Sequence, residues 1–291
     1  MPDRMPDRMP APQPDPVRPS IEIATLSHRP EVLEANLRRS PCVAEGVLPL
    51  TVIPDAPTAS EGNNRALDST RADIVVLAHH DVYLPRGWEA VLQQRIAEVT
   101  AIDPDWGLIG AFGMVEVEKG YGPVWSSSLG MIVGRVGMEP LPVLGFDELL
   151  VVVRRASGLR FDEGLPGYHL WGTDIVAEAR ARGKGAWVCP LPLVHNDGFH
   201  EGMDASFITA YRYLQRKWRD RLPLRSPITY ITRSGLTIYR WHWKNYRSRA
   251  FRMSLAQDPA TLDPQEIAWR CGWADLRPGP ETPQRHIPGG P

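Results

Sequence analysis

Residues 74–78, Ile-Val-Val-Leu-Ala, are apolar without a break. Successive side chains of a strand point to opposite faces, so such a run cannot leave one face in water. It belongs inside a sheet that is covered on both sides. The run ends abruptly in His79-His80-Asp81, and Pro85 and Gly87 break the chain soon after. Three polar groups at the tip of a buried strand are costly to desolvate unless something pairs with them. Alternation turns His79 and Asp81 to one side and His80 to the other. His79 and Asp81 can therefore share one ion, while His80 must face something else.

The rest of the chain supplies neighbours for that strand. Strands are predicted over 21–26, 48–54 and 106–112, and two short pieces lie within 141–155 around Gly145-Phe146-Asp147. Helical spacing of apolar residues runs through 30–39 (Val32, Leu33, Leu37) and 87–99. Ser60 is the expected N-cap of a helix through Asn64, Ala66 and Leu67. A further helix is predicted from near Thr173 to Gly183, then one strand from Ala186 to Val194. The glycine- and serine-rich stretch 120–134 reads as a hairpin or mobile loop, with 126–130 placed to close over a ligand. Alternating strands and helices imply an α/β fold with a mostly parallel sheet flanked by helices. In such sheets ligands bind at the carboxyl ends of the strands. Asp55, the His79–Asp81 segment and His195 all fall there.

The 291 residues and 43% hydrophobic content suffice for one large domain, or a domain with an extension. A net charge of −1 argues against a general polyanion binder, so no nucleic-acid partner is expected. Cys42, Cys189 and Cys271 form no CxxC pair, which argues against a disulfide framework and for a reducing, cytoplasmic setting. Residues 1–19 repeat MPDR, lack an apolar signal core and read as a disordered leader. The apolar run at 149–153 is too short to span a bilayer. A main domain is expected over 20–205, a basic aromatic extension over 206–255 and a loosely ordered Pro-rich tail over 256–291. Between 206 and 252 the only acid is Asp220, and aromatics such as Trp218, Tyr239 and Trp243 interleave with arginines and lysines. Three readings of that stretch are open: a peripheral contact with an anionic membrane, a grip on an anionic polymer, or a solvated helix with its aromatics packed inward.

The stretch SEGNNRALDSTRADIVVLAHHDVYLPRGW resembles the nucleotide-sugar half of GT-A glycosyltransferases of the family-2-like group. Asn63-Asn64-Arg65-Ala66 matches that group's Asn/Arg helix, and His79-His80-Asp81 takes the position of its Asp-x-Asp motif. His79-His80-Asp81-Val82 is most similar to the subgroup related to the streptomycin-biosynthesis StrF protein. FDEGLPGYHLWGTDIVAEARARGKGAWVCPLPLVHN resembles the same group's acceptor side. The resemblance covers roughly residues 20 to 200 at the level of element order. It implies a GT-A, Rossmann-like fold and an activity that moves a sugar from a nucleoside diphosphate to an acceptor hydroxyl. The acceptor would be a glycan, a lipid-linked compound or a small molecule.

The resemblance also implies site residues. Asp174, opening a helix, would be the general base of an inverting reaction. Thr25, Asp55, Asn64, Arg65, His80 and Asp81 would contact the nucleotide sugar. Asp147, His169 and Trp171 would line the acceptor site. His79, Asp81 and His195 would hold a divalent metal, Mn²⁺ or Mg²⁺. Each has an ordinary structural alternative: a helix-dipole acid for Asp174, a turn for Asp55, an exposed charge for Arg65, core packing for His169 and Trp171. An acidic first motif position has become His79, which leaves Asp81 as the motif's only carboxylate. A catalytically inactive GT-A-like domain that binds a glycan or partner is therefore the alternative. A metal-dependent hydrolase would need a denser ligand cluster.

Overall fold

The computed structural model describes residues 18–116, 119–202 and 204–279. All but the last two residues of the expected leader lie outside these, as does the tail beyond 279. The chain begins with β1 (Ile21–Leu26), the short helices α1 (Pro30–Ala35) and α2 (Pro41–Ala44), β2 (Leu50–Ile53), α3 (Ala59–Ser69) and β3 (Ile74–Ala78). Then come β4 (Val82–Tyr83), α4 (Trp88–Ile102), β5 (Trp106–Gly110), β6 (Gly113–Glu116) and β7 (Lys119–Tyr121). The hairpin β8 (Val124–Ser126) and β9 (Met131–Val133) precedes β10 (Leu141–Pro142), β11 (Gly145–Phe146) and β12 (Leu150–Arg154). The remainder is α5 (Trp171–Ala181), β13 (Gly185–Val188), β14 (Leu193–His195), α6 (Ala205–Lys217), β15 (Leu224–Arg225), β16 (Tyr230–Ile231), α7 (Leu236–Leu255) and α8 (Pro264–Arg270).

A seven-stranded sheet, ordered β10-β13-β5-β12-β3-β1-β2, forms the centre. β1 runs parallel to β2 and β3, and β13 runs parallel to β5. β12 inserts antiparallel between β3 and β5, and β10 is antiparallel at the edge. The result is a mixed, mostly parallel α/β sheet flanked by helices. Its unbroken apolar strands serve two cores. Val75, Leu77, Val151 and Val153 face Leu67 of α3, Ile175 of α5 and Phe207 of α6. Ile74, Val76, Leu150 and Val152 face Leu33, Leu37 and, on α4, Trp88 and Leu92. Val75, Val76, Val151 and Val152 are wholly buried. Each such side chain contributes about 1.5–3 kcal/mol relative to exposure.

Several expectations are corrected. The strand predicted over 186–194 is two strands, because Pro190 and Pro192 cannot donate to a ladder and interrupt it. β13 stays in the central sheet, while β14 joins a second one, ordered β4-β14-β8-β9. The N-cap of α3 is Thr58, whose side chain accepts from the Glu61 amide at 3.2 Å; Ser60 lies inside the helix. The boundary drawn after 205 does not divide two bodies. Phe207, Ala210, Tyr211 and Leu214 of α6 are buried in the main core. Nor is the tail loose over 258–279: Ile267, Ala268 and Trp273 pack on Tyr83, Trp125 and Val194 of the second sheet.

Candidate metal centre and the cleft around it

The interruption at Pro190 and Pro192 builds the site. It releases β14 to pair antiparallel with β4, the strand that follows the His79–Asp81 segment. His195 lies opposite Val82, and the Asn196 amide donates to the Asp81 carbonyl at 2.9 Å. His79 comes from the end of β3, its amide donating to the Leu149 carbonyl at 2.9 Å. His79, Asp81 and His195 therefore meet, one ligand atom of each within 4.8 Å of the others. Oδ1 of Asp81 lies 3.3 Å from Nε2 of His195 and 3.9 Å from Nδ1 of His79. Oδ1 of Asp81 and Nε2 of His195 are buried, and neither has a hydrogen-bond partner among the described residues. Buried polar atoms are normally satisfied, so an unpartnered pair that faces one another fits a ligand between them. Two imidazole nitrogens and a carboxylate oxygen are a donor set for a divalent transition ion.

A second layer supports this set. Nδ1 of His195 faces Oδ2 of Asp197 at 3.8 Å. Asp197 is held by Ser126 Oγ at 3.0 Å, Ser127 Oγ at 3.2 Å, the Ser128 amide at 3.1 Å and His200 Nε2 at 2.9 Å. A carboxylate behind a histidine ligand fixes its ring orientation and tautomer. Burial alone would push the His195 pKa down, but Asp81 and Asp197 outweigh it and raise it to about 9. Burial likewise works against ionised Asp81, yet His195 and His79 hold its carboxyl well below the usual range. His79 is pushed down to about 4 by the cleft walls, against the pull of Asp81, although 43% of its side chain meets solvent.

The turn before β12 adjoins the trio, its Leu149 carbonyl accepting from the His79 amide. Burial raises the Asp147 pKa, and His195 is its largest opposing influence. Glu148 points instead to α5. That helix starts after Leu170 in a left-handed conformation, without a side-chain cap of its own. Oε1 of Glu148 accepts from the Gly172 amide at 3.2 Å, so a residue from another element caps the helix. A Cβ on residue 172 would meet the Phe146 carbonyl oxygen at 2.9 Å and Cγ of Glu148 at 3.1 Å, which explains the glycine.

The other predicted residues are distributed as follows. His80 turns away from the trio in the turn that follows β3, closed by the Val82 amide on the His79 carbonyl at 3.3 Å, and its Nδ1 lies 2.9 Å from Ser27 Oγ near the tip of β1. Thr25 is buried in β1, its Oγ1 unpartnered among the described residues. Asp55 is exposed after β2 in a left-handed conformation, which an aspartate tolerates. Arg65 is exposed on α3. Asn64 is committed to structure: its amide bonds the Phe161 backbone at 2.9 and 3.0 Å and Glu163 at 2.8 Å, leaving nothing for a nucleotide. Trp171 is 4% exposed and stacks edge-on with Phe161 at 5.5 Å, a core residue and not a sugar platform. His169 sits at the start of α6, 3.8 Å from Asp204, and not beside the trio.

Asp174 is the largest correction. Its carboxylate is 3% exposed and fully engaged, by Lys217 Nζ at 2.8 Å and Trp218 Nε1 at 2.6 Å. Lys217 also bridges Asp162 at 2.8 Å and Glu178 at 2.9 Å. Asp174 thus fastens α5 to α6 and is turned into the protein, where no acceptor hydroxyl can reach it. The Ser126–Gly130 loop is corrected too. Its serines grip Asp197, and the Gln257 amide donates to the Ser127 carbonyl at 2.8 Å, so it is a pinned buttress and not a lid. Asp197, His200 and Glu148 were not anticipated. One signal was available: His195-Asn196-Asp197 repeats the His-x-Asp spacing of 79–81.

The chain is thus an α/β protein in which the tip of a central strand and a strand of the second sheet bring together two histidines and one carboxylate. No protein-family model matches the chain, and no curated protein matches it. Among solved structures, it is similar to the mannosyltransferase PcManGT from Pyrobaculum calidifontis in complex with GDP-Man and Mn²⁺. That likeness has 14% identity and a TM-score of 0.43, over 91% of this chain and 83% of the other. It is similar to GalNAc-T7 with UDP, GalNAc and Mn²⁺ at 9% identity and a TM-score of 0.43, over 80% of this chain. There it spans about half, 55%, of the other chain. A197 from STIV aligns at 8% identity with a TM-score of 0.36, over 60% of this chain and 83% of the other.

Proposed function

We propose that the protein is a GT-A-type glycosyltransferase that moves a sugar from a nucleoside diphosphate to an acceptor hydroxyl. The observation that carries the reading is the facing pair Asp81 Oδ1 and His195 Nε2, buried, ion-paired with each other and joined by His79 at the carboxyl end of the sheet. These three residues would hold a divalent ion, and mixed nitrogen and oxygen donors suit Mn²⁺ better than Mg²⁺. Bound there, the ion would act as a Lewis acid that neutralises charge on a leaving diphosphate. Asp197 keeps the His195 ring in register. His80 and Ser27 form the β1 side of the site, where the nucleotide would lie, with Thr25 buried beneath them. Asp147, whose carboxyl feels the charge of His195, would replace Asp174 as the carboxylate that takes the acceptor hydroxyl's proton in an inverting transfer. The acceptor is a glycan, a lipid-linked compound or a small molecule.

The test is a panel of UDP-, GDP- and dTDP-sugars with Mn²⁺, followed by thermal stability and nucleotide release. Stabilisation by one nucleotide, with turnover abolished in Asp81→Asn, supports the reading; no nucleotide response overturns it. A second reading, a catalytically inactive GT-A-like domain that binds a glycan or partner, is favoured by the commitment of Asp174 to Lys217 and Trp218. Its signature is stabilisation by a nucleotide without turnover on any acceptor.

A further inference from the structure

Helix α7 is built inside out. It has 20 residues, and Ile238 is its only buried one. Leu236, Tyr239, Trp243, Tyr246, Ala250 and Met253 recur at intervals of three and four, which places them in one stripe. On an ordinary surface helix that stripe would face the core. Here it faces water: Tyr239 is 70% exposed, Trp243 63% and Tyr246 79%. Arg240, Lys244 and Arg247 run along one flank of the stripe, His242 and Arg249 along the other. No acid occurs anywhere in the helix. Arg240 and Lys244 make no ion pair among the described residues, and Arg247 lies over the Trp243 ring at 4.8 Å. Only the far side and the Arg249 flank are fastened down. Arg249 forks onto Glu201 at 2.6 and 2.9 Å, Asn245 donates to the Glu201 carbonyl at 3.0 Å, and Arg252 to the His200 carbonyl at 2.8 Å.

We infer that α7 is an interfacial helix that docks the protein on an anionic membrane surface. Tyrosine and tryptophan have an apolar body and a polar edge, which suits the headgroup boundary, and flanking cations pair with anionic lipid. A helix with this division lies in the interface plane with its apolar stripe inserted. No described helix is long and apolar enough to cross a membrane. The two competing occupants fit less well. A second copy of α7 would bring five more cations and no acid against the first. A single-stranded nucleic acid needs a groove that tracks its backbone, and α7 offers a convex ridge. The anchored face of α7 holds the segment whose His200 bonds Asp197 at 2.9 Å, so docking would set the metal cleft next to the lipid surface. The inference stands whether or not the cleft transfers sugars.

The experiment is co-sedimentation of the full chain with phosphatidylcholine vesicles, with and without phosphatidylserine, over a range of salt. Binding is expected only with phosphatidylserine, and it weakens as salt rises. The combined Arg240→Glu, Lys244→Glu and Arg247→Glu variant should bind at least a hundredfold more weakly, about a factor of five per cation removed. Tyr239→Ser with Trp243→Ser and Tyr246→Ser should also lose binding, at unchanged salt slope. All six side chains point outward, so unfolding midpoints should match the parent; Lys244→Glu alone gives the same test at smaller scale. The inference is overturned if the native chain ignores phosphatidylserine vesicles at low salt, or if the charge variants bind as well as the parent. It is equally overturned if α7 mediates self-association or oligonucleotide binding while vesicles are left alone.

Discussion

Asp81 Oδ1 and His195 Nε2 lie 3.3 Å apart, both buried, as an ion pair too poorly aligned for a regular hydrogen bond. An acceptor and a ring nitrogen in that position are poised for a third group. Mn²⁺ is therefore expected to raise the melting temperature of the native protein and to leave Asp81→Asn and His195→Ala unmoved. Differential scanning calorimetry with and without the ion checks this, and equal shifts in all three proteins would sink the site.

Asp197 does not reach the facing atoms; it stands behind His195. Asp197→Asn keeps the shape and the contacts with Ser126 and Ser127 but loses the charge that orients the ring. Metal affinity should fall by about 10–100-fold while the fold persists. Isothermal titration with Mn²⁺ gives the number, and a variant that binds as the parent does would assign Asp197 to structure alone.

Much of this arrangement could be read before coordinates, for a physical reason. A strand buried on both faces must be apolar throughout, so β3 and β12 announced themselves, and the polar tip of β3 stood out against that background. His80 does part from His79 and Asp81, but in the turn beyond Ala78 and not by the strand alternation the sequence suggested. The rest depends on long-range packing that no local pattern encodes. Leu193 and Val194 looked like the end of one long strand, and only pairing with β4 reveals that two prolines move them to another sheet. Asp174 at a helix start reads the same whether it faces a cleft or Lys217, which lies 43 residues further on. The aromatics of 206–252 split by position: Tyr211 and Trp218 went inward and Trp243 outward.

Asp174 and Lys217 yield a prediction about stability. Lys217→Met would leave Asp162, Asp174 and Glu178 facing one another without their shared cation. Removing one partner of a buried ionic cluster costs about 3–5 kcal/mol. Urea unfolding should register a loss of that order, and Asp174→Asn a smaller one. Nucleotide affinity should change in neither. If Asp174→Asn instead abolished turnover at unchanged stability, the helix-fastening role would be wrong.

Asp147 should part company with Asp174 in kinetics. If it accepts the acceptor's proton, Asp147→Asn lowers turnover by about 10²–10⁴-fold while Mn²⁺ and nucleotide binding persist. Single-turnover measurements with the preferred donor separate the two effects. A variant that loses binding and turnover together would place Asp147 in the donor site instead.

Glu148 gives a pH dependence with a definite sign. Burial, and then the neighbouring Asp147, raise its pKa from 4.5 to about 8, although the amides of Gly172 and Leu170 favour the carboxylate. The folded state therefore holds a proton that the unfolded chain releases in the ordinary carboxylate range. Over that window the folded state binds more protons, so its stability falls as pH rises from about 4.5 to about 8 and then levels off. Glu148→Gln keeps an oxygen for the Gly172 amide and cannot ionise. Its urea midpoint should lack this slope, so that variant and parent converge at acidic pH and the variant is the more stable near pH 8. Parallel midpoints across the range would mean that Glu148 is ionised in the folded protein and caps α5 as a carboxylate.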